Sequence, residues 1–359
     1  MKTELAKIKE GHLHQLADYK KQLQKKPILK FLFLELTSRC NEHCLHCGSS
    51  CDYTGGFELS LEQYKKILTD VAADFDVKSF QLCITGGEPL LRTDFFDILG
   101  FAKDLGYHWG MTSNGTLIDA GCARRLRECG MGTISVSIDG LKETHDRFRR
   151  TPGGYDAAMR GINCLLEEGG FRHVQVTTVI NHTNMHELEP LYDIFCGIDI
   201  DSWRIIGIEP IGRALAHPEM MLTGEDYRYL FDFIREKRSE GMPLTYGCSH
   251  FLGLDYEREV RKHYFICNAG IYVAAITSTG DITSCLDIER RPETVFGNIL
   301  TDRLKDVWEN GFQIFRGGLA EKSEKCRTCS QLEFCAGGAC HSWDYDKNEQ
   351  RMCFKDVLF

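Results

Sequence analysis

The chain has 359 residues, with 43 Lys and Arg against 52 Asp and Glu, for a formal net charge of −9. A hydrophobic content of 43% with 26% charged residues describes a chain that folds in water, and the acidic balance excludes a general nucleic-acid binder, which needs basic excess against phosphates. No apolar run approaches the ~20 residues of a membrane helix, and Met1–Glu10 lacks the apolar segment of a secretory signal, so a cytoplasmic protein with no membrane or nucleic-acid partner is expected.

Residues 1–27 are polar with scattered Leu and Ile, and they read as an exposed helix that Pro27 ends. From Phe31 short apolar runs alternate with longer amphipathic stretches. The runs are Phe31–Thr37, Ser79–Thr85, His108–Thr112, Thr133–Ile138, His173–Ile180 and Ser202–Ile208. Their brevity and their Val, Ile and Phe content predict strands buried on both faces. Between them, Ser60 with Gln63 forms a capping box opening Leu61–Val71. Asp119 caps Ala120–Cys129, with Gly130 as the stop, and Asn184 with Glu187 opens a helix through Phe195. Six strand–helix units demand a parallel sheet, because each strand must return through a crossover.

Six is two short of a closed eight-fold barrel. The expected fold class is therefore α/β, a partial (β/α)6 TIM-like barrel over 31–235, with its chemistry at the carboxyl ends of the strands. Residues 1–30 form an N-terminal helical extension. Residues 236–359 form a loop-rich second domain in which long helices disappear except around Asp302–Phe315. That region is too poor in apolar stretches to hold itself without staples, which bound metal can supply.

Seventeen cysteines stand out in a chain without a secretory signal. Cys40-x3-Cys44-x2-Cys47 follows the first strand directly. Cys248, Cys267 and Cys285 come later, then Cys326-x2-Cys329-x5-Cys335-x4-Cys340 and Cys353. Clustered cysteines at fixed spacings point to metal ligation, and spacing alone leaves structural zinc and iron–sulfur clusters both open. Cys51, Cys83, Cys122, Cys129, Cys164 and Cys196 are scattered and read as small buried hydrophobes.

The first triplet resembles the signature of the radical S-adenosylmethionine (SAM) superfamily, and further motifs come in that family's order. Gly86-Gly87-Glu88-Pro89 follows the second strand and Ser113-Asn114-Gly115 the third; Ser135-x-Ser137, Asp139-Gly140 and Arg149 follow on the fourth. The resemblance implies that Cys40, Cys44 and Cys47 hold a [4Fe–4S] cluster with one iron open to SAM. It implies that Gly86, Gly87, Glu88 and Pro89 receive the SAM ammonium, that Ser113 and Asn114 lie near ribose and adenine, and that Ser137 and Arg149 hold ribose and carboxylate. His46 stands where the family carries a carbocyclic aromatic, and still offers a ring face to adenine. Val174–Ile180 lacks the usual glycine-bearing adenine motif. Glu209-Pro210-x-Gly212-Arg213 resembles a P-x-G-R segment of many members, with no role assigned.

The later cysteines resemble the SPASM extension, which binds auxiliary clusters. The pattern implies Cys248, Cys267, Cys285 and Cys340 around the nearer cluster, and Cys326, Cys329, Cys335 and Cys353 around the farther one. The Cys335–Cys340 spacing is one residue longer than usual. Three [4Fe–4S] clusters are thus expected, one binding SAM and two auxiliary. The resemblance extends to peptide-modifying maturases and a lipoprotein-associated SPASM subgroup. It implies reductive cleavage of SAM to a 5′-deoxyadenosyl radical, with an electron donor such as flavodoxin or ferredoxin, and hydrogen abstraction from a peptide or protein substrate. Oxidative modification of a ribosomal peptide, such as a cross-link, fits best. Ser or Cys oxidation of the sulfatase-maturing type, epimerisation and small-molecule dehydrogenation are the enzymatic alternatives; an electron carrier or scaffold is the non-enzymatic one. No single Asp or His stands out as a catalytic base.

Overall fold

The computed structural model describes residues 4–247 and 250–358. Its frame is a sheet in the order β10-β9-β8-β1-β2-β3-β4-β5-β6-β7. The six expected strands are β1 (Phe31–Glu35), β2 (Gln81–Thr85), β3 (His108–Ser113), β4 (Met131–Ser137), β5 (His173–Ile180) and β6 (Ser202–Gly207). They pair in parallel, neighbour by neighbour. Intervening helices α2 (Leu61–Asp74), α3 (Phe95–Asp104), α4 (Ala120–Glu128), α5 (Lys142–Arg149), α6 (Gly154–Glu168), α7 (Leu188–Cys196) and α8 (Gly224–Ser239) carry the crossovers.

The sheet is wider than expected. A seventh parallel strand, β7 (Leu244–Tyr246), pairs with β6. At the other edge β8 (Val273–Ile276) lies parallel to β1, and β9 (Asp281–Thr283) and β10 (Val295–Asn298) continue antiparallel. The cysteine-rich region therefore extends the barrel sheet. One buried apolar cluster reaches from Leu29 to Phe354.

Two caps behave as the sequence predicts. Ser60 Oγ accepts from the Gln63 N–H while the Gln63 side chain accepts from the Ser60 N–H, and Asp119 accepts from Cys122 at 2.7 Å. Asn184 does not cap α7. Its amide instead donates to the Asp139 and Val179 carbonyls, tying the β4 and β5 loops. The stretch near Asp302–Phe315 breaks into a helix, Leu304–Asn310, and a short 3-10 turn, because Phe312 adopts a left-handed φ of 61° to bury its ring.

The first helix, α1 (Glu4–Lys25), is not freely exposed. Leu13, Ala17 and Leu23 are buried along one face. Lys20 Nζ donates to the Phe334 carbonyl at 2.7 Å, and Lys9 Nζ lies 2.6 Å from Glu259. These cations anchor α1 on the carboxyl-terminal region while their methylene stems cover apolar surface.

Candidate functional site

Cys40 leaves the carboxyl end of β1, its N–H bonded to the Asp52 carbonyl at 2.7 Å. The glycines after β2 pack on this departure: the N–H of Gly87 donates to Thr37 and that of Glu88 to Arg39. A Cβ at Gly87 would collide with the Arg39 carbonyl and touch Cys40 Cβ, so this approach requires glycine. Burial pushes the Cys40 thiol up to about 12 and holds Cys44 well above the ordinary thiol range. Cys47 is held low by a bond from the neighbouring Cys51 thiol, which is pushed up in turn. Cys51 is thus part of this loop's packing.

Glu88 is fully buried between the β2 and β3 loops. Its carboxylate accepts from Ser113 Oγ at 3.0 and 3.1 Å, from the Asn114 N–H at 2.9 Å and from the Leu90 N–H at 3.3 Å. Burial pushes its carboxyl up to about 7. Asn114 Nδ2 in turn donates to Asn41 Oδ1 at 2.8 Å, within the cysteine loop. Glu88, Ser113 and Asn114 therefore hold one another and the Cys40–Cys47 loop. Pro89 opens a short 3-10 turn behind them. Ser137 ends β4, opposite Thr177 of β5.

Beneath the loop lies a buried ion network that the sequence did not disclose. Arg149 Nε donates to Asp139 Oδ2 at 2.8 Å and Nη1 to Glu42 Oε2 at 2.6 Å. Burial opposes both charges, yet their pairing lowers Asp139 and raises Arg149 from their ordinary values. Arg149 is thus buried and ion-paired, although Arg147 and Arg150 stand on either side of it in sequence. His46 stacks on Phe148 at 4.5 Å, so one of its ring faces is covered, and burial pushes its imidazole down to about 4. Among the described residues, the buried Glu42 Oε1, His46 Nδ1 and His145 Nε2 have no hydrogen-bond partner, three polar atoms that suit a bound polar ligand or water.

In the second cysteine region, Cys326, Cys329, Cys335 and Cys353 line one cavity. Four thiols around one space form a donor set that fits an iron–sulfur cluster. Cys267 and Cys340 are in contact, the Cys340 N–H lying 3.5 Å from Cys267 Sγ. Burial, and the thiols of Cys340, Cys267 and Cys285, push the Tyr345 hydroxyl up. Tyr345 Oη donates to the Cys340 carbonyl at 3.1 Å. Cys248 lies outside the described residues. Among the described residues, no three His, Cys, Asp or Glu side chains converge as around a single metal ion.

Between the two cysteine regions opens a cleft of about 300 Å³. Gly48, Ser49 and Ser50 form one wall, Ile211 and Gly212 the second, and the Leu286–Arg290 segment with His341 and Arg351 the third. Among the described residues, no helix is long and apolar enough to cross a membrane.

Residues 34–195 match the Radical SAM superfamily, and residues 267–330 match an iron–sulfur cluster-binding domain, SPASM. An AdoMet-dependent heme synthase of Nitratidesulfovibrio vulgaris is 26% identical over 347 residues, covering 91% of each chain. A mycofactocin maturase, MftC, of Mycolicibacterium smegmatis is 28% identical over 311 residues, covering 85% of this chain and 76% of that one. In three dimensions the chain resembles anSMEcpe with bound AdoMet, at a TM-score of 0.72 and 19% identity, covering 92% of this chain and 95% of that one. It also resembles Streptococcus suis SuiB bound to its precursor peptide SuiA, at a TM-score of 0.69 and 18% identity, covering 91% and 76%. The partial barrel and the cysteine-rich extension thus find their counterparts together: the chain is an enzyme built of a radical SAM domain followed by a SPASM domain, with the SAM and iron–sulfur binding that those domains imply.

Proposed function

We propose that this enzyme removes hydrogen from a peptide substrate held in the cleft between its two cysteine regions. Cys40, Cys44 and Cys47 would hold the SAM-binding cluster, and the eight later cysteines Cys248, Cys267, Cys285, Cys326, Cys329, Cys335, Cys340 and Cys353 two auxiliary clusters. When bound, the first cluster and SAM supply a 5′-deoxyadenosyl radical as hydrogen acceptor. The chain's own residues orient and shield: Gly87 lets the β2 loop close on Cys40, Glu88 fixes Ser113 and Asn114, and Arg149 bridges Glu42 and Asp139 under the loop. Gly86 and Pro89 frame this loop and would receive the SAM ammonium, and Ser137 would hold the ribose.

The cleft is the observation that carries this reading. It borders the Cys47 loop on one side and the segment after Cys285 on the other. With both groups bound, a substrate oxidised there would have an electron acceptor near at hand as well as a hydrogen acceptor. Ser49, Ser50, Asp287, Arg290, His341 and Arg351 suit the alternating amides and side chains of a peptide. A tetrapyrrole substrate is the second reading, favoured by the heme synthase likeness over 91% of both chains. Such a macrocycle wants a broad apolar slot with aromatic faces; Ile211, Leu215, Leu286 and Ile288 line part of this cleft, but among the described residues no Phe, Tyr or Trp does.

Anaerobic turnover with SAM and dithionite tests both, offering in turn the peptides encoded beside the gene and an iron porphyrin. A peptide lighter by two hydrogen atoms, with 5′-deoxyadenosine formed, is the expected result. An unchanged peptide mass with solvent deuterium at Cα would replace oxidation by epimerisation. Turnover of the porphyrin alone would overturn the peptide assignment.

A further inference from the structure

The turn after β6, Glu209-Pro210-Ile211-Gly212-Arg213, touches both cysteine regions at once. We propose that it is a two-ended strut that fixes the Cys40–Cys47 loop relative to the Cys340 loop across the substrate cleft. The proposal builds on the ligand assignments above.

At one end Arg213 grips the first loop through three carbonyls. Its Nε donates to Cys44 O at 2.7 Å, its Nη1 to Cys51 O at 2.8 Å, and its backbone N–H to Cys47 O at 3.0 Å. The planar guanidinium meets two carbonyls in fixed geometry, which a lysine cannot reproduce. Gly212, at a φ of 51°, lies so close under Cys47 and Gly48 that a Cβ would collide with both carbonyls. Any larger residue here would push the loop away.

At the other end Glu209, itself buried, accepts from His341 Nε2 at 2.8 Å. His250 Nε2 lies 3.6 Å from the same carboxylate oxygen, and His250 Nδ1 accepts from the Ala339 N–H at 3.5 Å. Ala339 and His341 flank Cys340. The carboxylate thus bonds the Cys340 loop through His341, with His250 as a longer electrostatic contact beside Ala339, in a buried setting where an ionised hydrogen bond is strongest.

The span between the two ends is stiff. Pro210 fixes one φ, and the Ile211 N–H closes onto the Glu209 carbonyl at 2.8 Å. Ile211 and Gly212 are also cleft wall, so the strut sets the width of the space in which substrate sits. A misplacement of about 1 Å between reacting groups costs on the order of 10²-fold in rate, which is reason enough for a rigid spacer.

Hydrogen exchange on the full-length apo chain reads the strut without any cluster. Arg213→Lys should speed exchange in residues 44–51 by roughly tenfold, the loss of one charge-assisted bond, and leave 338–345 unchanged. Glu209→Gln should do the converse. Pro210→Gly, which adds no atoms but frees the span, should speed both segments together. In reconstituted enzyme, electron paramagnetic resonance should show Arg213→Lys altering the SAM-responsive signal and Glu209→Gln an auxiliary one. If Pro210→Gly leaves either segment at the wild-type rate, the strut is refuted. If wild-type enzyme shows no cluster signals while the exchange pattern holds, the ligand assignments fail and the strut stands.

Discussion

Arg149→Met should unfold this protein far more readily, for a reason that can be worked through. The guanidinium is 7% exposed, Glu42 0% and Asp139 1%. Methionine fills a similar volume but leaves two carboxylates buried with no cation. Removing one partner from a buried pair costs about 3–5 kcal/mol, against a typical total stability of about 5–15 kcal/mol. With a urea slope near 3 kcal/mol per molar, the unfolding midpoint should fall by roughly 1 M or more. Far-UV circular dichroism of the apo chain in urea measures it. Adding Glu42→Gln and Asp139→Asn to Arg149→Met should recover most of the loss, because the uncompensated charges are then gone. A midpoint within error of wild type would refute the network as a structural element and return Arg149 to ligand binding alone. A triple variant no better than the single one would refute the charge argument specifically.

Other perturbations have equally definite outcomes. Gly87→Ala drives a methyl into the Arg39 carbonyl beside Cys40, so reconstituted iron should fall from about twelve to about eight atoms per chain, with SAM cleavage lost; twelve irons with normal cleavage would remove the close-approach argument. Thr223→Ala breaks the capping box of α8, in which Thr223 and Asp226 exchange bonds, and should cost about 1 kcal/mol in urea unfolding at pH 7. Burial opposes the Asp226 charge, but the Thr223 N–H and His182 hold its carboxyl below the usual range. Its contribution is therefore present above the unfolded carboxylate pKa and lost as pH falls through the lowered value, so Asp226→Asn should destabilise at pH 7 and progressively less as pH falls below the usual carboxylate range.

What the sequence disclosed follows from what periodicity can see. The six strands of the barrel are long enough for their Val, Ile and Phe content to register, and their loops carry Gly86–Pro89, Ser113 and Asn114 in order. Leu244–Tyr246 and Asp281–Thr283 are three residues each, too short for any pattern, so the sheet's extension at both edges stayed hidden. The helix over residues 1–27 read as exposed because Lys9 and Lys20 face backbone carbonyls from another part of the chain, which leaves no local trace. The same holds for Arg149 and Glu42, 107 positions apart in sequence and 2.6 Å apart in space. Motif order located Glu88, but not that its carboxylate serves Ser113 and Asn114.

The longer Cys335–Cys340 spacing shows how far counting residues can mislead. A spacer matters through the displacement it produces, and that depends on φ as much as on length. Ala336, Gly337 and Gly338 have φ of 53°, 88° and 82°, three left-handed residues in succession. Such a run coils the chain back on itself, so the additional residue is absorbed as curvature. Gln350 Nε2 bonds the Gly337 and Ala339 carbonyls and keeps the curl in place. The chain then delivers the Cys340 N–H to 3.5 Å from Cys267 Sγ. Two adjacent glycines in the spacer were visible in the sequence from the start, and they carry the information that the count alone leaves out.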